Sequence, residues 1–426
     1  MSHRRIVSSG ISNFDVNVPG SKYLANRYIA IAALVDGDTT LHNVPVNDDI
    51  DAALRAIEAL GATVTVTGSQ VIIQGIKDYS SDHLIHLNCR DSGTLSRFVT
   101  ALSANMYSPV FIDASEQMKQ RPMQEIVDCL ELLGVSVSSN QGYLPLTVTG
   151  PIQGGICQLD ASRSSQFLSA LLIACLRAEK ETLIQLTGEL VSESYIELTL
   201  KAIQKFTGNI GRINGKEFLI EPQQKLQANT IHVASDVVSC SYFMAAALIA
   251  ETSTCIKHYD FDSVQGEAQF PHVLELMGAH VERQQDDLLI SYNKPLVGIE
   301  VDMGNMPDAV PTLTVIAAFA SGETHITNIA HLAFKESNRI VDLCEQLKQV
   351  GVQCEYGEDY IKIIGSNKLH AAKVSSCHDH RLAMSLALLG IKIPNLVIKD
   401  AQAVEKSFPQ YWQYLEQIGI VTEEIE

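Results

Sequence analysis

The stretch Pro19-Gly20-Ser21-Lys22-Tyr23-Leu24-Ala25-Asn26-Arg27, running on as YIAIAALV to residue 35, decides how the whole chain is read. A short turn containing glycine passes directly into a helix rich in small apolar residues. The same design returns as GTLSRFVTALSA from 93, SSQFLSALLIACL from 164, DVVSCSYFMAAALIA from 236, DAVPTLTVIAAFA from 308 and DHRLAMSLALLGI from 379. The anchors Lys22, Gly93, Ser164, Asp236, Asp308 and Asp379 are spaced by 71, 71, 72, 72 and 71 residues, and 426 residues divided by six is 71. A period of this length marks a repeat architecture.

Other features keep the same phase. Each of these helices is followed by a short β-like run: TTLHNV, PVFIDA, TLIQLT, TCIKHY, THITNI and LVIKDA. An amphipathic helix comes next and ends near a glycine, in LGATV, LGVSV, TGNIG, MGAHV, VGVQC and IGIVT, where glycine suits the residue just past a helix end. A two-stranded pattern with period-2 alternation follows, as in ATVTVTGSQVIIQG. The first helix of each unit is apolar on nearly all sides and so belongs in an interior. A unit of roughly 70 residues is marginal alone, whereas three units sharing one interior make a plausible domain. The expectation is therefore an α/β protein of six βαβαββ repeats, three per domain, with buried parallel helices. The expected lobes are residues 20–234 and a discontinuous lobe of 1–19 with 235–426, joined at a hinge with the active site in the cleft between them. The last unit reads as lacking its final hairpin, which the N-terminal run RRIVSSGISNFDVNV could complete.

Composition narrows the function. Apolar residues make up 46%, enough for a large core, and 31 Lys and Arg against 49 Asp and Glu give a formal net charge of −18. So acidic a chain argues against nucleic acid and against an anionic membrane surface as partners. Apolar runs such as ALLIACL and FMAAALIA fall far short of the ~20 residues of a spanning helix, and the N-terminus has no apolar stretch of the signal-peptide kind. Nine scattered cysteines without a CxxC pair argue against a disulfide framework or zinc finger and fit a reducing cytoplasm.

The starts of the buried helices are where chemistry is expected, because a helix N-terminus offers unpaired N–H groups and partial positive charge. Lys22 and Arg27 stand at the first, Gly93-Thr94 and Arg97 at the second, Ser164-Ser165-Gln166 at the third, and Asp236, Asp308 and Asp379-His380-Arg381 at the others. Arg121, Lys335-Glu336, Arg339 and Lys406 fall at the starts of outer helices. Cations gathered in phase in an acidic protein point to a polyanionic small molecule, since Arg grips phosphate and carboxylate bidentately. Any one Asp or Ser here could equally be a structural N-cap; the phase of the repeat favours function. Other signatures fail. Gly215-Lys216 has Ile210 and Glu217 where a phosphate loop needs Gly and a hydroxyl. There is no GxGxxG or GxSxG, and His378-Asp379-His380 suits no standard zinc set. Trp412 and the nearby tyrosines read as packing.

Taken in order, PGSK at 19–22 with Arg27, SGT at 92–94 with Arg97, RPM at 121–123, SSQ at 164–166, MPDA at 306–309, FKESNR at 334–339, DHR at 379–381 and KSFPQY at 406–411 resemble the enolpyruvyl transferases, in particular those acting on shikimate 3-phosphate. The branch acting on UDP-N-acetylglucosamine is less similar, because its cysteine-bearing loop is not evident before Arg121. The resemblance covers nearly the whole chain. It implies two domains of three βαβαββ units closing on substrates at a hinge, and transfer of the enolpyruvyl group of phosphoenolpyruvate to the 5-hydroxyl of shikimate 3-phosphate, with release of phosphate. It implies no metal, no cofactor and a monomer.

Carried over by position, the resemblance gives phosphoenolpyruvate to Lys22, Gly93, Arg121, Gln166, Arg339, Arg381 and Lys406. It gives the acceptor's phosphate to Ser164, Ser165, Gln166 and Ser192, with Tyr195 nearby. Tyr23 and Arg27 would meet the acceptor's carboxylate, and Asp308, His331 and Lys335 its hydroxyls. Asp308 would take the attacking hydroxyl's proton, Glu336 would exchange a proton with the methylene carbon, and Lys22 and Lys406 would assist. The sequence departs from the family pattern at Tyr23 (commonly serine), Asp91 (asparagine), His331 (asparagine), Asn338 (an acid) and Glu193-Ser194 (a basic residue and proline). Several acceptor contacts are thus altered, and the alternative they suggest is the same transfer to a different phosphorylated acceptor.

Overall fold

In the computed structural model the described residues are 2–425 except 189, 191 and 192. The chain forms two compact units, residues 1–19 with 235–426 and residues 20–234. They are called here the terminal unit and the central unit.

Each unit contains three buried helices, and each of these begins where the sequence places a capping residue or a tight turn. In the central unit they are Lys22–Ala32, Gly93–Ser103 and Gln166–Ala174. Ser21 and Ser92 accept from the amides of Leu24 and Leu95, satisfying donors that the helix itself cannot. In the terminal unit they are Val237–Ile249, Val310–Ala317 and His380–Ala387. Asp236 and Asp379 cap two of them, and a 3-10 turn, Pro307–Ala309, leads into the third. Nearly every residue of these helices is buried, as apolarity on all sides requires. Burying each Leu, Ile or Phe is worth about 1.5–3 kcal/mol, so these helices contribute strongly to each unit's stability.

Within each unit the starts of neighbouring helices meet. Gln166 reaches Thr94 at 3.1 Å and Arg381 reaches Asp308 at 2.8 Å, while further along the terminal unit's helices Ser241, Thr312 and Ser385 form a chain of buried hydroxyls at 3.0 and 3.4 Å. At the opposite ends, Leu248, Phe319 and Ile393 of the terminal unit line one cavity of about 780 Å³. Asn105 donates to the carbonyl of Ala174 in the central unit. Arg27 Nη2 also donates to Ser169 Oγ at 3.4 Å, and Leu34, Asn105 and Arg177 line one cavity beyond the far ends of the central helices, so the three helices run in the same direction in each unit.

Among the described residues, six four-stranded sheets lie around the helices, each with one parallel and two antiparallel pairings. In the second repeat, Ile85–Asn88 pairs parallel with Val110–Asp113. That strand pairs antiparallel with Tyr143–Thr149, which in turn pairs with Ser136–Asn140. The outer helices, Asp48–Ala59, Gln124–Leu132, Glu193–Lys205, Phe270–Leu276, Arg339–Gln349 and Tyr411–Gln417, bury one face.

Three details differ from the sequence reading. The first repeat takes its leading strand from far along the chain: Thr230–His232 pairs parallel with Thr40–His42. Likewise Phe14–Val16 leads the repeat that contains Val237–Ile249. Second, the N-terminal run does complete the last repeat as expected, through His3–Ser9, but that repeat keeps one strand of its own final pair, Ile420–Ile425, so His3–Ser9 lies between it and Leu396–Lys399. Third, five outer helices end in a glycine with positive φ, but in the third repeat Thr207 takes that conformation. Gly208 is required for space instead, since a Cβ there would lie 2.6 Å from Ile203. Cys344 and Cys354 are joined across a helix and its following strand; the other seven cysteines are free, so the linkage is a single bridge rather than a framework.

Candidate active site

In the terminal unit the first turns of two buried helices and one outer helix bring charges together around Asp308. Arg339, 2% exposed, donates Nη1 to Asp308 Oδ1 at 2.9 Å. Its Nε and Nη2 bond both oxygens of Asp379 at 2.7 and 3.2 Å. Arg381 donates Nη2 to Asp308 Oδ2 at 2.8 Å, and Lys335 Nζ stands 3.8 Å from Asp308 Oδ1. Burial opposes the Asp308 charge, but Arg381, Arg339 and Lys335 outweigh it and hold the carboxyl well below the usual carboxylate range. Asp379 is fully buried and caps its helix while bonding Arg339, so one residue serves both structure and site.

A second cluster adjoins it. Glu336 accepts from Lys406 Nζ at 2.6 Å and lies 2.7 Å from His380 Nδ1. Burial again disfavours the charge, yet His380 and Lys406 keep the Glu336 carboxyl far below its ordinary value. Burial lowers the His380 pKa against the pull of Glu336. His331 is also lowered, by burial and then by Lys335. Glu336, Asp379 and His380 have ligand-type atoms within 4.8 Å of one another, but Arg339 and Lys406 already neutralise the two carboxylates, which leaves little net negative charge to attract a metal cation.

In the central unit Gly93 is hemmed in by cations. A Cβ at 93 would lie 2.7 Å from Arg121 Nη1, 3.1 Å from Arg97 Nη1 and 3.7 Å from Gln166 Oε1. Arg97 is 5% exposed, its Nε has no hydrogen-bond partner, and burial followed by the charge of Arg121 brings its pKa down to about 10. Two guanidiniums side by side with an unsatisfied N–H are poised for an anion. Ser164 Oγ accepts from the amide of Gln166 at 3.2 Å, and Ser165 is buried at the helix start without a capping bond.

Lys22 Nζ lies 3.8 Å from Asp49 Oδ2 and 5.6 Å from the centre of the Tyr23 ring. Tyr23 meets Tyr195 edge-on at 5.1 Å. Arg27, 2% exposed, bonds the Thr199 hydroxyl at 2.8 Å, the Tyr23 and Tyr195 carbonyls at 2.9 and 3.1 Å, and Ser169 at 3.4 Å. Burial brings its pKa down to about 10. Asp91, one of the departures, accepts from the Ser115 hydroxyl. Ser192 lies outside the described residues.

A family model described as EPSP synthase (3-phosphoshikimate 1-carboxyvinyltransferase) matches residues 11–415. The chain belongs to the EPSP synthase family. Proteins named 3-phosphoshikimate 1-carboxyvinyltransferase from Photobacterium profundum and Nostoc punctiforme are 34% and 36% identical to it. The alignments cover 96% and 94% of this chain and 96% of each relative. An EPSP synthase structure from Acinetobacter baumannii superposes with a TM-score of 0.89 over the whole of both chains, at 25% identity. The six-repeat, two-domain enolpyruvyl transferase fold expected above is thus the fold of the EPSP synthase family.

One more charged group adjoins the Asp308 cluster of this EPSP synthase family member, at a position the motifs above do not include. Glu267, 7% exposed, accepts from the Asp308 amide at 3.2 Å. Its signal was the repeat phase: Glu267 stands 69 residues before Glu336, which stands 70 before Lys406.

Proposed function

We propose that the protein transfers the enolpyruvyl group of phosphoenolpyruvate to the 5-hydroxyl of shikimate 3-phosphate and releases inorganic phosphate, with residues of the Asp308 and Gly93 clusters both taking part. The observation that carries this reading is the pair Arg339 and Arg381 closed on Asp308, with Glu336 and Lys406 adjoining. That arrangement supplies cations for a carboxylate and a phosphate beside carboxylates able to move protons. Membership of the EPSP synthase family supports the same acceptor and does not favour a different one.

In this reading Lys22, Gly93, Arg121, Gln166, Arg339, Arg381 and Lys406 hold phosphoenolpyruvate. Ser164, Ser165, Gln166 and Ser192 hold the acceptor's phosphate. Arg27 and Tyr23 meet its carboxylate, and Asp308, His331 and Lys335 its hydroxyls. Arg27 is already engaged, so gripping a carboxylate requires it to exchange at least one of its bonds.

The 5-hydroxyl oxygen bonds to C2 of phosphoenolpyruvate as its proton passes to Asp308. The methylene carbon gains a proton and becomes a methyl group, completing the tetrahedral intermediate. The C2–O bond to phosphate then breaks, and the methyl group loses a proton to regenerate the double bond. Glu336 is held ionised, so it is suited to remove that proton, while Lys406 and His380 can return one through it. Lys22 and Lys406 stabilise the departing phosphate. Because Arg339 and Arg381 bond Asp308 directly, an arriving anion must share or replace those bonds, and its charge would raise the basicity of Asp308 as the substrate binds.

The reading is tested by incubating the purified protein with phosphoenolpyruvate and shikimate 3-phosphate and following phosphate. Release that requires both substrates supports it. No release with both substrates present, even at an excess of enzyme, would overturn it.

A further inference from the structure

The carboxylate assigned above as proton acceptor has a poor environment for that work, because two arginines and a lysine surround it. The question is what opposes them. Asp308 lies in the 3-10 turn Pro307–Ala309, and the segment packed against this turn is Gln265-Gly266-Glu267. The approach is as close as backbones allow: a Cβ on Gly266 would lie 1.7 Å from the carbonyl oxygen of Asn305. Gln265 and Glu267 are 6% and 7% exposed, and Glu267 Oε1 accepts from the Asp308 amide at 3.2 Å.

We propose that Glu267 is a positioning residue for Asp308: it fixes the turn that carries that carboxylate, and its charge sets how readily Asp308 takes a proton. This inference rests on the reaction proposed above, in which Asp308 meets the acceptor hydroxyl.

The groups facing Glu267 are few. Asp308 comes from the turn, Arg381 from the start of the helix His380–Ala387, and Tyr259 from the segment after the strand Ser253–Ile256. Tyr259 is tied down by a bond from its hydroxyl to the Ala268 carbonyl at 3.2 Å. Arg381 also bonds Asp308 Oδ2, so the charge of one guanidinium acts on both carboxylates. Burial, then the charge of Asp308, pushes the Glu267 carboxyl up to about 7, with Arg381 opposing. A glutamine would accept from the same amide without the cost of burying a charge, so holding the turn alone gives no reason for an ionisable group here. An ionised Glu267 does what a glutamine cannot: it competes for Arg381 and adds a like charge beside Asp308, both of which raise the proton affinity of Asp308.

The test uses Glu267→Gln, Glu267→Asp and Asp308→Asn in the full-length protein. Infrared difference spectra against pH need no substrate. They should show a protonated-carboxyl band in the wild type that disappears as pH rises through about 7. The band should be absent in E267Q, and its midpoint should move down by about one pH unit or more in D308N. No such band, or a midpoint unmoved in D308N, would overturn the pairing. With phosphoenolpyruvate and shikimate 3-phosphate, E267Q should lose about tenfold or more in kcat, with KM for phosphoenolpyruvate changed little, and should lose the limb of the pH profile near neutrality. E267D should keep that limb. Wild-type turnover with E267Q matching it in kcat and pH profile would overturn the inference alone. Absence of wild-type turnover would overturn the proposed reaction, and the infrared midpoints in D308N would still decide whether the two carboxyls are coupled.

Discussion

Arg339 holds Asp379 in a two-pronged grip, Nε to Oδ2 at 2.7 Å and Nη2 to Oδ1 at 3.2 Å, and gives its remaining arm to Asp308 at 2.9 Å. One side chain thus joins the cap of a buried helix to the proposed base. A lysine offers a point charge and cannot span both carboxylates. Arg339→Lys is expected to leave Asp379, fully buried, without its partner and to destabilise the terminal unit by roughly 3–5 kcal/mol. Urea unfolding measures this. A loss below about 1 kcal/mol would mean that the fork contributes little.

Glu336 stands between Lys406 and His380. Glu336→Gln keeps the shape and removes the proton-carrying group, so kcat should fall by about 10²–10⁴ while KM for phosphoenolpyruvate changes little. Steady-state kinetics on the variant decides it, and turnover left intact would remove Glu336 from the proton transfers.

Gly93 leaves room for Arg121 and Arg97. The Cβ of Gly93→Ala would sit 2.7 Å from Arg121 Nη1, and the flexible guanidinium has to retreat. KM for phosphoenolpyruvate is expected to rise several-fold, about 1 kcal/mol of lost binding, with a smaller effect on kcat. An unchanged KM would show that Arg121 does not meet that substrate.

The pH dependence of stability separates the carboxyls. Asp308 and Glu336 have lowered folded pKa values, so their stabilisation is present above their unfolded values near 4 and disappears only as pH falls further. Glu267 has the opposite sign. Its folded pKa is about 7 against 4.5, so the folded state binds the proton more tightly and stability falls as pH rises between those values, by about 3 kcal/mol at most. Urea unfolding of the wild type and Glu267→Gln at pH 5 and pH 8 should show the variant gaining on the wild type at the higher pH. A gap independent of pH would contradict the titration of Glu267.

The repeats were legible because each buried helix is apolar on all sides and begins at a polar turn, and that contrast survives in every unit from Lys22 to Asp379. The sharing of strands was legible only in part: the N-terminal run was expected to complete the last repeat, and His3–Ser9 does so, but the other two exchanges were not. Thr230–His232 and Phe14–Val16 are three-residue strands whose partners lie far away in sequence, and no local pattern encodes a distant partner. The cations of the site were legible one by one, but their partners were not. Nothing in MPDA says that Asp308 is clasped by Arg339 and Arg381, because the pairing is made by tertiary packing of three segments. Glu267 was hidden for a related reason: in VQGEAQF it looks like an ordinary charge at a helix start, its place in the repeat phase is a faint signal, and its burial against Asp308 is what gives it significance.

The central claim is that one phosphate leaves phosphoenolpyruvate while the acceptor keeps its own. Phosphorus NMR of the purified protein with both substrates tests it most directly. The account predicts that the phosphoenolpyruvate resonance declines as inorganic phosphate appears in equal amount, while the shikimate 3-phosphate resonance shifts to that of its enolpyruvyl ether without losing intensity. An unchanged acceptor resonance, or inorganic phosphate arising from the acceptor, would contradict it.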